Sequence, residues 1–139
     1  MANYIGFART NYVRIRDVEG LKADLRPFLE DGQLRIAEEE DGRIAILDKM
    51  GHGWPVLSEY DESPEGVQFD PREQVCPHLE EGEVLVMMEA GREADRYAYG
   101  HAVAYSWEGE FVTVNLDDIY QRASAAFGVG VDEISRAAY

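Results

Sequence analysis

Tyr97-Ala98-Tyr99-Gly100-His101-Ala102-Val103-Ala104-Tyr105-Ser106-Trp107 is the stretch from which the fold is read. Tyr97, Tyr99, His101, Val103, Tyr105 and Trp107 fall on one side of an extended chain, and Ala98, Gly100, Ala102, Ala104 and Ser106 on the other, because strand side chains alternate with period two. A small-residue side lets a helix approach a sheet closely. The large-residue side either fills the core or lies open as an aromatic platform, with Tyr97, Tyr99, Tyr105 and Trp107 as its candidates.

The neighbours of this strand extend the pattern in both directions. Glu108-Gly109 turns the chain into a second strand over Phe111–Leu116, a hairpin. Upstream, Val84, Leu85, Val86, Met87 and Met88 run without a polar break between Glu83 and Glu89, as expected of a central strand covered on both faces. Leu34–Glu38 and Arg43–Leu47 are joined through Asp41-Gly42, the strongest short hairpin signal, with Glu38, Glu39 and Glu40 as a solvated tip. Asn11–Arg16 alternates as a half-buried strand.

Helical spacing appears in three places. Asp17 is placed to cap a helix carrying Val18, Leu21, Leu25, Phe28 and Leu29, which Pro27 and Gly32 limit. Asp70-Pro71 has the form of a helix start, with Val75, Cys76 and Leu79 inward on a short helix reaching Glu80. Asn115, with Asp118 three positions on, is placed to open a helix striped with Leu116, Ile119, Tyr120, Ala123 and Phe127. Between 51 and 68, Gly53, Pro55, Pro64 and Gly66 break the chain, which predicts a loop with ordered ends and a mobile centre. The expectation is a single α+β domain over 1–139. It has an antiparallel sheet of about five strands, two longer helices and a short one, with the helices mainly on one face.

Composition narrows function. The chain has 139 residues, 28 acids against 13 bases and a formal net charge of −15. Residues 1–58 hold ten acids against eight bases, 59–95 twelve against two and 96–139 six against three, so the segments carry −2, −10 and −3. A field of that sign repels nucleic acid and anionic membrane and attracts basic protein surfaces. Direct nucleic-acid binding and membrane insertion are not expected, and a basic protein is the expected partner. The middle segment is expected to form one negative patch, from Glu80, Glu81, Glu83, Glu89, Glu93 and Asp95 flanking the central strand and Glu59, Asp61, Glu62 and Glu65 in the loop. A single cysteine, Cys76, excludes an internal disulfide and fits a reducing, cytoplasmic location.

Motifs for catalysis are sparse. Gly51-His52-Gly53 and Gly128-Val129-Gly130 lack the lysine and hydroxyl of a phosphate loop. Cys76, His78 and a distant His52 or His101 have no repeated zinc spacing, and two residues apart on a helix do not face each other, which disfavours a Cys76–His78 pair. His101, expected near Glu110 across the hairpin, is the one histidine in a regular context. No metal, cofactor or catalytic residue is expected. A small α+β enzyme, or an acidic structural or regulatory protein, is the alternative to a binding protein.

Thr10-Asn11-Tyr12-Val13-Arg14-Ile15 and Glu81-Gly82-Glu83-Val84-Leu85-Val86-Met87-Met88-Glu89, together with small size and acidity, resemble the small anti-defence proteins of bacteriophages and mobile elements, the anti-CRISPR and antirestriction type. The resemblance is to a class, covers those two stretches and transfers no functional residue. It implies an inhibitor acting in the host cytoplasm on a defence ribonucleoprotein or nuclease, by occupying a groove as a nucleic-acid mimic or by blocking a movement. Either a monomer or a homodimer fits.

Overall fold

Six strands form one antiparallel sheet in the order β2-β3-β1-β4-β5-β6: β1 (Tyr4–Thr10), β2 (Leu34–Glu38), β3 (Ile44–Asp48), β4 (Val84–Glu93), β5 (Tyr97–Ser106) and β6 (Phe111–Asn115). The helices are α1 (Val18–Asp24), α2 (Arg26–Glu30), α3 (Pro71–Gln74) and α4 (Asp118–Phe127), with 3₁₀ turns at Cys76–His78 and Val131–Glu133. This computed structural model describes residues 4–55, 68–93 and 97–137. The α+β class with an antiparallel sheet stands as expected. The centre of the 51–68 loop lies outside the described residues.

The core sits on one face of the sheet. Leu34, Ile44, Ile46, Leu85, Met87 and Val103 point there, and Leu21, Leu25, Phe28, Val75, Cys76 and Leu79 close over them from α1, α2, α3 and the 3₁₀ turn. The expected first helix breaks at Leu25, which caps the end of α1 and the start of α2. Pro27 has no N–H to continue the ladder. Asp17 caps α1 by accepting from Gly20 N at 3.0 Å, and Asp70 caps α3 by accepting from Arg72 N at 3.0 Å. The short helix ends at Gln74 rather than Glu80, with Pro77 in the following 3₁₀ turn.

The expected strand at Asn11–Arg16 is a pair of isolated bridges, Val13 to Ile44 and Ile15 to Leu79. The strand lies just upstream, at β1, in the middle of the sheet between β3 and β4. Its covered positions are small or polar: Gly6, Ala8 and Thr10. Thr10 is buried and satisfied, its Oγ1 accepting from Ile46 N at 2.9 Å and donating to Asn11 O at 2.8 Å. Asn11 ends the β1–β4 ladder by donating from Nδ2 to Val84 O and accepting at Oδ1 from Val86 N.

The covering of β4 and β5 departs from expectation. Their large-residue side, with Val103 and Tyr105, faces the core, whereas on the Ala98-Gly100-Ala102-Ala104 side Leu116 sits over Gly100, Tyr120 of α4 lines a hollow with Ala98 and Gly100, and the Ala102-Ala104 end has no described helix over it. On that open face Ile5, Phe7, Val84, Met88, Val112 and Val114 remain 45–71% exposed. The apolar run in β4 therefore reflects one core face and one uncovered apolar face, not two covered ones.

Candidate functional site

Among the described residues, the carboxylates nominated from sequence divide: Glu80, Glu81 and Glu83 share one turn, and Glu89 and Glu93 lie apart from it. Glu80 and Glu81 are exposed on the tight turn before β4, closed by Glu83 N donating to Glu80 O and by Gly82 at φ 86°. Glu80 N donates to Arg14 O, and Glu83 accepts from Arg14 N while its carboxylate stands 4.0 Å from the Arg14 guanidinium. The turn is thus pinned, and one of its three charges is partly matched by a neighbouring base. Glu93 is at the far end of β4, about 30 Å away by strand rise. Glu59, Asp61, Glu62, Glu65 and Asp95 lie outside the described residues.

Glu89 was expected to flank the strand; it lies within β4, because the strand continues to Glu93. Its carboxylate faces the helix-covered side and is engaged there. Oε1 accepts from Trp54 N at 2.7 Å and Oε2 from Tyr4 Oη at 3.1 Å. Gly53, at φ 83°, packs so closely that an added Cβ would fall 2.2 Å from Oε1. Glu89 therefore anchors the loop after β3 to the sheet and is not a surface charge awaiting a partner.

The aromatic platform is likewise divided. Tyr105 packs against the core and stands 6.0 Å from Phe111, whereas Trp107 lies in the turn beyond β5. Tyr99 meets Tyr4 edge-on at 6.0 Å. The side chain of Tyr97 lies outside the described residues. Tyr4 itself lies over Gly6 and Gly91, where a Cβ would fall 2.4 Å and 2.6 Å from its ring or hydroxyl. Two glycines paired across adjacent strands make the bed for this ring.

Burial, then the Glu89 carboxylate, pushes the Tyr4 phenol far above its usual value. Tyr99 is raised by the same two causes, and Tyr105 by burial and then by Asp70. The folded chain thus holds these protons more tightly than the unfolded chain, whose phenols titrate near pH ~10. Their contribution is complete below about pH 10 and is lost as pH rises through the folded-state values. Urea midpoints should fall between about pH 8 and about pH 11, and less steeply in Tyr4→Phe. Equal slopes in the two proteins would remove Tyr4 as a source of the effect.

The residues considered for chemistry are engaged elsewhere. His78 Nε2 is 2.7 Å from Asp24 Oδ2, tying the 3₁₀ turn to α1 and pointing away from any role with Cys76. Cys76 is buried, and burial followed by Asp70 raises its thiol above the usual range. His101 has Glu89 and Asn115 as cross-strand neighbours, not Glu110, which sits at the hairpin end opposite Ser106. In the hollow lined by Asp31, Asp48, His52 and Trp54, Asp48 accepts from the N–H groups of Met50, Gly51 and Gly53. Among the described residues no group of three or more His, Cys, Asp or Glu could hold a metal ion, and no helix is long and apolar enough to cross a membrane.

The class that this arrangement defines is an acidic α+β protein with a one-sided core. Compared with protein-family models, curated proteins and solved structures, the chain matches none of them.

Proposed function

We propose that this chain is a non-catalytic binding protein that docks its acidic surface on a basic protein surface and thereby inhibits a nucleic-acid-handling protein. A host-defence nuclease or ribonucleoprotein is the target in keeping with the anti-defence proteins it resembles. The observation that carries this reading is the pinned Glu80-Glu81-Gly82-Glu83 turn in a chain of net charge −15. Hydrogen bonds fix the backbone of this turn before any partner arrives, so engagement costs side-chain ordering but little backbone ordering. The long-range field steers the encounter.

Amides at Glu80, Glu81 and Glu83 test it. Capture from host lysate at low and moderate salt should identify the partner, and the triple amide should slow association with it by roughly 3- to 30-fold at low salt with a flatter salt dependence. Glu89 is kept, because its role is internal. Association that is unchanged by the amides at every salt concentration would overturn the electrostatic reading.

A further inference from the structure

Among the described residues, the sheet's open face beyond Gly100 and the Ile119 and Phe127 side of α4 are both apolar and exposed. Helix α4 leaves the sheet at the β6 edge, with Leu116 N donating to Gly100 O, and none of its residues is buried. Ile119, Ala123, Ala126 and Phe127 share one stripe at helical spacing, and Phe127 is 78% exposed. Tyr120, at the edge of that same stripe, is occupied within the chain: its Oη accepts from Ala137 N, and Arg136 lies over its ring at 4.3 Å. Ile119 and Phe127 stay exposed on the stripe.

The open face has a shape that fits this stripe. Along β5 its floor is Ala102, Ala104 and Ser106, closed at the Gly100 end by Leu116 of the same chain, with Val84, Val86 and Met88 of β4 as one wall and Val112 and Val114 of β6 as the other. Two strand spacings separate the walls by about 10 Å, close to the diameter of a helix, and the floor from Ala102 to Ser106 runs about 14 Å. The ten residues of α4 make a rod of about 15 Å.

Charge says which molecule can occupy the trough. Each chain carries −15, so two copies repel unless they meet where acids are missing. On the open face, the described strand positions include no Asp or Glu and do include Arg9, Arg35 and Arg92. Size agrees as well. Val84, Met88, Val112, Val114, Leu116, Ile119 and Phe127 together expose on the order of 800 Å², in line with the ~800 Å² per partner of a stable interface.

We infer that the protein is a two-fold homodimer in which α4 of each copy lies in the β4-β5-β6 trough of the other. Both halves of the contact belong to the same chain, so the exchange is reciprocal and closes at two copies. This inference is independent of the acidic docking surface.

Light scattering at about 50 µM should give twice the 15.7 kDa chain mass. Phe127→Asp on the helix and Ala102→Glu on the floor should each raise the dissociation constant at least tenfold. Phe127→Asp alters a solvent-facing position of the single chain, so circular dichroism should show an intact fold. Mixing Ala102→Cys chains with Ala126→Cys chains under mild oxidation should yield the mixed disulfide. Three results would overturn the inference. One is a monomer at that concentration, and another is a dimer indifferent to both charged variants. The third is Ala102→Cys chains that link to one another instead of to Ala126→Cys, which would mean stacked sheets.

Discussion

Leu85→Ala is expected to lower the unfolding free energy by about 3–5 kcal/mol, the upper part of the range for leucine truncation in a core. Leu85 is 0% exposed, on the strand that pairs with β1 on one side and β5 on the other. With both neighbours hydrogen-bonded along their length, the backbone has little freedom to collapse into the space left by the lost methyl groups. The cavity term therefore adds to the transfer term. Against a total stability of about 5–15 kcal/mol for a domain, this is a large fraction, and the thermal midpoint should drop by roughly 10–20 °C. Met50→Ala, at an exposed loop position, is the control and should stay within about 0.5 kcal/mol. A Leu85→Ala loss no greater than the control's would show that β4 is not packed as described.

Glu89→Leu is expected to cost about 2–4 kcal/mol, and Glu89→Gln less than about 1 kcal/mol. Leucine leaves Trp54 N–H and the Tyr4 hydroxyl without their acceptor. An amide oxygen still accepts from Trp54, and the amide N–H₂ donates to Tyr4 Oη, which can reverse its role. Urea titration of both variants distinguishes the two effects. Equal losses in Gln and Leu would mean that the negative charge, and not the pair of orphaned donors, is what the site requires.

Much of the sheet was legible because local chemistry and tertiary position agree. Asp41-Gly42 turns β2 into β3, with Gly42 at φ 86° and Arg43 paired to Asp41 and Glu39 around the tip. Asp70-Pro71 opens α3, and the alternation in β5 sorts its side chains onto the correct two faces. Asp118 reaches back to accept from Asn115 N at 2.9 Å, half of the expected capping box, although Asp117 is the capping residue. Strand β1 was hidden because its pattern is inverted. The covered positions Gly6, Ala8 and Thr10 are small or polar, while Ile5 and Phe7 face outward.

Of the candidate site, the charge was readable and the geometry was not. Nothing near Glu89 in sequence announces that Trp54 and Tyr4 will meet its carboxylate, since those contacts span 35 and 85 positions. Gly53 was the available signal: a glycine next to a large aromatic, needed because its φ is positive and its α-carbon abuts the carboxylate. The small-residue side of β5 predicts a close approach by a helix, but what the structure places close over it is the Leu116 side chain, above Gly100. Amino-acid pattern does not say whether that helix belongs to the same chain.

The central place of β1 has a consequence for how the protein is made. On the ribosome the first strand emerges long before β4, with which it pairs over seven residues from Tyr4 to Thr10. At about 5–20 residues per second the wait is several seconds. During that time the β2–β3 hairpin can close on its own local turn, but β1 still lacks one flank. The exposed Ile5 and Phe7 and the unpaired edge are then available to chaperones or to other nascent chains. Folding of the sheet is thus a late event, which waits for β4 to arrive and join β5 and β6 to β2 and β3 across β1.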